Sequence, residues 1–152
     1  MNARPRVHLS RRYHFVASHR LHADAISPEE NRAIFGKCNN PHGHGHNYTV
    51  QITLAGAVDT ATGMVTNLAD LDAFAARELA RFDHANLNTL ECFRDLVPTT
   101  ENLAIEIWRI FTEYGAESPH VTLEHVRVEE TSNNSIDYFG AGEHSLTSTA
   151  RL

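Results

Sequence analysis

Tyr48, Val50, Ile52 and Leu54 alternate with Asn47, Thr49, Gln51 and Thr53, so an extended segment here is apolar on one side and polar on the other. A helix, whose faces recur every 3.6 residues, cannot sort such a pattern; a strand with one buried face can. Leu9, Tyr13, Phe15 and Ala17 repeat it within residues 7–21 and give a first strand. Residues 121–131 read as another, with a change of apolar parity between Leu123 and Val126 that implies a bulge, and residues 135–139 as its hairpin partner. A turn at residues 59–63 leads into residues 64–66, which read as a short strand pairing back as a hairpin.

Between these strands the period changes. Asn67 can cap a helix carrying Leu68, Leu71, Ala75, Leu79 and Phe82, ended by the polar stretch 83–88. Thr99 or Thr100 can cap a second long helix with Leu103, Ile107, Ile110, Phe111 and Tyr114 on its buried side, terminated at Gly115. Ser27, Pro28, Glu29 and Glu30 open a shorter helix that stops near Gly36. Strands, two long helices, then strands imply an α+β fold: an antiparallel four-stranded sheet with both long helices on one face. At 152 residues this is one domain, residues 1–152, with a core over about 7–140 and a tail, 141–152, of no assigned role. The opposite face and the sheet edges are left for a partner, so oligomerisation is expected.

A net charge of -6 argues against nucleic acid as partner. No apolar stretch approaches the roughly 20 residues of a membrane span, and the first ten lack a signal peptide's apolar core, so a cytoplasmic protein is expected. The chain has two cysteines, Cys38 and Cys92, better read for metal or catalytic chemistry than for disulfides, and eleven histidines, far more than packing needs.

His44 and His46 point to the side of the second strand taken by Tyr48 and Val50, and His19 continues the apolar face of the first. Imidazoles on apolar faces are costly unless something binds them, and three histidines with an open fourth position are the pattern of a catalytic zinc. His-x-His alone favours ordinary hydrogen-bonded histidines; the third histidine reverses the balance. A closed structural site with Cys38 as fourth ligand is the alternative. His8, His14, His22, His42, His120, His125 and His144 are read as ordinary polar residues. Cys38 follows Lys37, whose charge favours the thiolate that a proton-abstracting base requires, whereas Cys92 reads as a small buried residue. Asp83 and His84 are adjacent, so the carboxylate can orient the imidazole, although by themselves they are better read as a helix-ending turn. Glu130 shares parity with Val126 and Val128 and is either a bidentate acceptor for a heterocycle's N–H groups or a solvent-facing strand-end acid.

Ala17-Ser18-His19-Arg20-Leu21, Glu29-Glu30-Asn31 and Phe35-Gly36-Lys37-Cys38-Asn39-Asn40-Pro41, running into Gly43-His44-Gly45-His46-Asn47-Tyr48, resemble the 6-pyruvoyl-tetrahydropterin synthase / 6-carboxytetrahydropterin synthase family. Thr62-Gly63-Met64-Val65, Asn67-Leu68, Asp83-His84, Asn86-Leu87, Thr99-Thr100-Glu101-Asn102, Glu130-Thr131 and Asn133-Asn134 continue the likeness in the same order, from about Leu9 to Gly140. The resemblance implies the tunnelling fold, in which trimers close their sheets into a β-barrel ring and two trimers stack as a homohexamer with active sites between subunits. It implies Zn2+ on His19, His44 and His46, Cys38 as catalytic base, Asp83 and His84 as a relay, Glu130 as pterin anchor, and Thr99, Thr100 and Glu101 lining the same pocket. The implied reaction removes triphosphate from 7,8-dihydroneopterin triphosphate to give 6-pyruvoyl-tetrahydropterin, a step of tetrahydrobiopterin-type biosynthesis. A sister group forms 6-carboxy-5,6,7,8-tetrahydropterin for queuosine biosynthesis and is usually spaced Cys-x3-His-x-His; here five residues separate Cys38 from His44, as in the pyruvoyl-forming group. A noncatalytic zinc or pterin-binding module on the same scaffold is the alternative of another class. A zinc hydrolase lacks support, since no His-Glu-x-x-His occurs.

Overall fold

The alternation along the first two strands becomes a long antiparallel ladder. β1 (Arg6–His19) pairs with β2 (His44–Ala57) from Arg6 opposite Ala57 to His19 opposite His44. The structure, a computed structural model, describes residues 4–142; His144 and most of the tail lie outside the described residues. A two-residue strand, β3 (Ala85–Asn86), lies parallel to Ala17 and Ser18 of β1. On the other side β2 pairs antiparallel with β4 (Val121–Thr131), which pairs with β5 (Asn134–Tyr138). The order β3-β1-β2-β4-β5 makes an open, mixed five-stranded sheet. The bulge falls where the parity change placed it: Thr53 faces His125 while Leu54 faces Leu123, leaving Glu124 as the extra residue.

α1 (Pro28–Phe35) opens on a capping box, with Ser27 Oγ accepting from Glu30 N at 3.2 Å and Glu30 carboxylate from Ser27 N at 2.8 Å. Asn67 caps α2 (Leu68–Leu79) by accepting from Ala69 N at 3.0 Å, and Thr99 caps α3 (Thr100–Glu117) by accepting from Asn102 N at 3.2 Å. The inward face of the sheet, with Phe15, Tyr48, Val50, Ile52 and Val128, is buried against Leu71, Phe74, Leu103, Ile107 and Phe111 of α2 and α3. Phe15 stacks between Tyr48 and Phe82, at centroid distances of 5.2 and 5.5 Å. Emptying a core position such as Ile52 costs about 2–5 kcal/mol. Among the described residues no helix is long and apolar enough to cross a membrane.

Three details differ from the sequence reading. Residues 64–66 are not a strand, because Asp59 folds the segment on itself: Asp59 N donates to Met64 O at 2.9 Å and its carboxylate accepts from Ala61 N and Thr62 N. Stretch 83–88 does more than end a helix, since its central residues supply β3 and bring the sheet to five strands. α3 runs through Gly115 to Glu117. Its end is set instead by Pro119, which forces Ser118 out of the helical region (φ -126°, ψ 72°).

The uncovered face carries Arg12, His14, Thr49, Gln51, Arg127 and Glu129. They bond laterally, with Arg12 Nε on Gln51 at 3.1 Å and Arg127 Nε on Asp137 at 2.7 Å. Such a face can remain wet. The edge is different: β3 covers only Ala17 and Ser18, so residues 6–15 of β1 present a strand edge with no ladder partner on that side among the described residues.

Candidate metal centre and active site

Register brings three imidazoles together. His19 ends β1 directly opposite His44, and His46 lies two residues further along β2 on the same side. One ligand atom from each falls within 4.8 Å of the others, and His19 Nε2 is 3.0 Å from His44 Nε2. A tetrahedral zinc with bonds of about 2.0–2.1 Å needs nitrogens about 3.3 Å apart, so small ring rotations complete the site.

Each histidine is prepared for that role. His19 Nδ1 lies 2.7 Å from the carbonyl oxygen of Pro98, which can only accept, so the proton sits on Nδ1 and Nε2 offers its lone pair. Burial pushes His19 and His46 toward the neutral, ligating form, against the opposing pull of Glu130. His46 Nε2 is buried without a hydrogen-bond partner, an orphan that a metal would satisfy. The Tyr48 ring packs under His19 and His46, edge-on to His19, and burial pushes its hydroxyl pKa up.

Glu130 closes one side. Its Oε1 is 3.4 Å from His19 Nε2 and 3.5 Å from His46 Nε2, while Oε2 accepts from Asn134 Nδ2 at 3.0 Å. Burial pushes this carboxyl up, but bonds from Asn134 and Thr100 and the nearby histidines outweigh it and hold the group below its ordinary value. Glu130 borders a cleft of about 440 Å³ with His46, Thr49, Glu129 and Thr131, just past Thr49–Glu129, the ladder's last pair. Thr100 is buried and bonds Glu130, whereas the Thr99 hydroxyl is engaged in capping α3 and Glu101 is exposed on its first turn.

Cys38 is half-buried in a 3-10 turn, Gly36–Asn39. Leu21 N donates to Cys38 O at 2.9 Å, Asn39 Nδ2 to Leu21 O at 2.8 Å and Arg20 Nε to Asn39 O at 3.0 Å, so the turn is stapled to the residues after His19. Gly43 is required where this loop meets β1: its φ is +70°, and a Cβ would stand 2.9 Å from His19 O. The ligand cluster of the described residues is the three histidines, without Cys38. Cys92 lies elsewhere, its thiol pushed up by burial.

Asp83 and His84 are not brought to this cluster. Asp83 Oδ1 accepts from Val16 N at 3.0 Å and Oδ2 lies 3.1 Å from His84 Nδ1, which together hold the carboxyl below its usual range. His84 adopts φ 56°, and its N donates to Val16 O at 2.5 Å. Asp83 lines a cleft with His14, Phe15, Val16, Asn47, Tyr48 and Thr49, which includes none of the three clustered histidines. Sequence reasoning missed the Pro98 carbonyl, Asn134 and the Arg20 staple. Only Tyr48, in the parity of His44 and His46, carried a signal.

Residues 8–141 match the family model described as 6-pyruvoyl tetrahydropterin synthase. The 6-pyruvoyl tetrahydrobiopterin synthase of Homo sapiens is 47% identical over 139 residues, covering 90% of this chain and 94% of that protein. Its Drosophila melanogaster counterpart is 45% identical, covering 92% of this chain and 83% of that protein. The structure of Caenorhabditis elegans 6-pyruvoyl tetrahydropterin synthase superposes with a TM-score of 0.87 at 39% identity, covering 93% of this chain and all of that one.

Proposed function

The chain belongs to the 6-pyruvoyl tetrahydropterin synthase family, and on that premise we propose that it eliminates triphosphate from 7,8-dihydroneopterin triphosphate, yielding 6-pyruvoyl-tetrahydropterin. It is a carbon–oxygen lyase of pterin biosynthesis. The observation that carries the reading is the convergence of His19, His44 and His46 on one point, with His46 Nε2 left orphaned.

These three imidazoles would hold Zn2+, and their donor set, three neutral nitrogens with an open side, suits it. Bound zinc supplies Lewis acidity toward the hydroxyls of the substrate's side chain. Every other part falls to the chain. Pro98 fixes the His19 tautomer. The Cys38 thiolate, in the turn tied to Leu21, takes the proton from the side-chain carbon. Glu130, oriented by Asn134 and Thr100, accepts the N–H groups of the amino-pyrimidinone, and Thr99 and Glu101 belong to the same pocket wall.

Asp83 and His84 relay protons so that triphosphate leaves. They lie at the β1 edge, outside the ligand cluster of their own chain, and in this reading they serve the site of a neighbouring copy, in a homohexamer of two trimers joined through the open sheet edges. The enzyme acts in the cytoplasm as a single domain. Incubation with dihydroneopterin triphosphate and mass spectrometry of the pterin tests this: 6-pyruvoyl-tetrahydropterin is expected. Dominant 6-carboxytetrahydropterin with acetaldehyde would overturn the product, and no consumption by the metal-loaded oligomer would leave only a binding module.

A further inference from the structure

Two clefts on the segments that carry the candidate site residues have opposite charge. The one beside His46 carries two carboxylates, Glu129 and Glu130, and no lysine or arginine. A second cleft, of about 420 Å³, is built on the Gly36–Asn39 turn that carries Cys38, with Arg20, Arg32 and Lys37 in its wall and no aspartate or glutamate. That is unexpected in a chain of net charge -6.

Most arginines here are neutralised by carboxylates, as Arg11 is by Asp72, Arg109 by Glu106 and Arg127 by Asp137. Among the described residues Arg20 and Lys37 have no such partner. Among the described residues the side-chain bond of Arg20 runs from Nε to the Asn39 carbonyl at 3.0 Å, which aims the guanidinium. Lys37, the chain's one lysine, is exposed on the same turn. Arg32 adds a third cation, tethered to Glu29 at 2.9 Å. A third cleft, of about 490 Å³, is also lined by Arg20, but it includes Asp24 and Asp95 and is electrostatically mixed.

We propose that the cleft of Arg20, Arg32 and Lys37 is the seat of the substrate's linear triphosphate, so that the carboxylate cleft takes the N–H-donating ring and the cationic cleft the polyanionic tail. This rests on the lyase reading above. Arg20 directly follows His19 and Lys37 directly precedes Cys38, so the proposed seat lies on the segments that carry a metal-ligand candidate and the thiol. Lys37 on the stapled turn and Arg20, which helps to staple it, have no carboxylate partner among the described residues and can bind phosphate oxygens through charge-assisted bonds with little reorganisation. The same placement makes the released triphosphate a product inhibitor.

Isothermal titration of the zinc-loaded enzyme with inorganic triphosphate, beside dephosphorylated 7,8-dihydroneopterin, tests the assignment. Lys37→Gln should weaken triphosphate binding by about tenfold or more, as expected for a lost charged hydrogen bond. Arg32→Gln should act in the same direction and Lys37→Arg should restore affinity, with dihydroneopterin affinity little changed throughout. In steady state, KM for the triphosphate substrate should rise in Lys37→Gln. Unchanged triphosphate affinity in both glutamine variants overturns the subsite, and so does a parallel loss of dihydroneopterin binding, which would mean collapse of the Cys38 turn. Lys37-dependent triphosphate binding by an enzyme that turns nothing over would sink the lyase reading and keep the subsite; turnover with Lys37-independent binding does the reverse.

Discussion

The histidine cluster and the Asp83–His84 pair both meet β1 near its end, at His19 and at Val16, yet they are held there in different ways. His19 leaves β1 on the inward face, opposite His44, and meets its partners by ladder register alone. Asp83 is bound to the backbone of Val16 at the strand's open edge, and His84 beside it is 80% exposed. The difference teaches that ladder register gathers side chains of one parity on neighbouring strands, whereas a pair held by backbone bonds at a strand's edge is placed independently of that register.

The largest effect is expected at the histidine cluster. His44→Ala with His46→Ala should abolish stoichiometric zinc, since one ligand of three remains; metal analysis showing full occupancy would sink the ligand assignment. Next come the proton-moving groups. Cys38→Ala and His84→Ala should each lower kcat by about 10²–10⁴ while keeping zinc. If the site spans two chains, mixing His84→Ala subunits with the double-histidine variant should recover part of the activity in hybrid oligomers. No recovery in verified hybrids, or a clean monomer by light scattering, would break the comparison.

A smaller effect is expected at Thr100. Thr100→Val removes one bond to the Glu130 carboxylate and should raise KM about tenfold at unchanged zinc content, as for loss of a hydrogen bond to a charged group. A kcat loss without a change in KM would argue that Thr100 does not orient the ring anchor. The smallest is structural: Thr99→Ala removes the α3 cap and should cost about 0.5–2 kcal/mol in denaturant unfolding, leaving zinc affinity in place. Lost metal in that variant would show that α3 and Pro98 move as one with His19.

The fold was legible wherever neighbours in sequence decide it. Alternation gave β1, β2 and the β4 bulge, and Ser27, Asn67 and Thr99 marked the helix starts through bonds made within three residues. Residues 64–66 misled because two or three apolar-compatible residues have no period; the Asp59 side chain captured that turn first. Gly115 misled because a glycine lowers helix stability without ending a helix already packed on a sheet, while Pro119 imposes a steric stop.

By itself the sequence determined which side chains share a face, and hence that His44, His46 and the inward end of β1 would meet, because strand parity is local and the antiparallel ladder only has to align it. The tertiary structure alone decided what surrounds them. The Pro98 carbonyl that sets the His19 tautomer is 79 residues away, and the Val16 amide that holds Asp83 at the β1 edge is 67 away. No pattern in a single chain encodes such pairings, since they follow from where helices and loops come to rest once the core is packed.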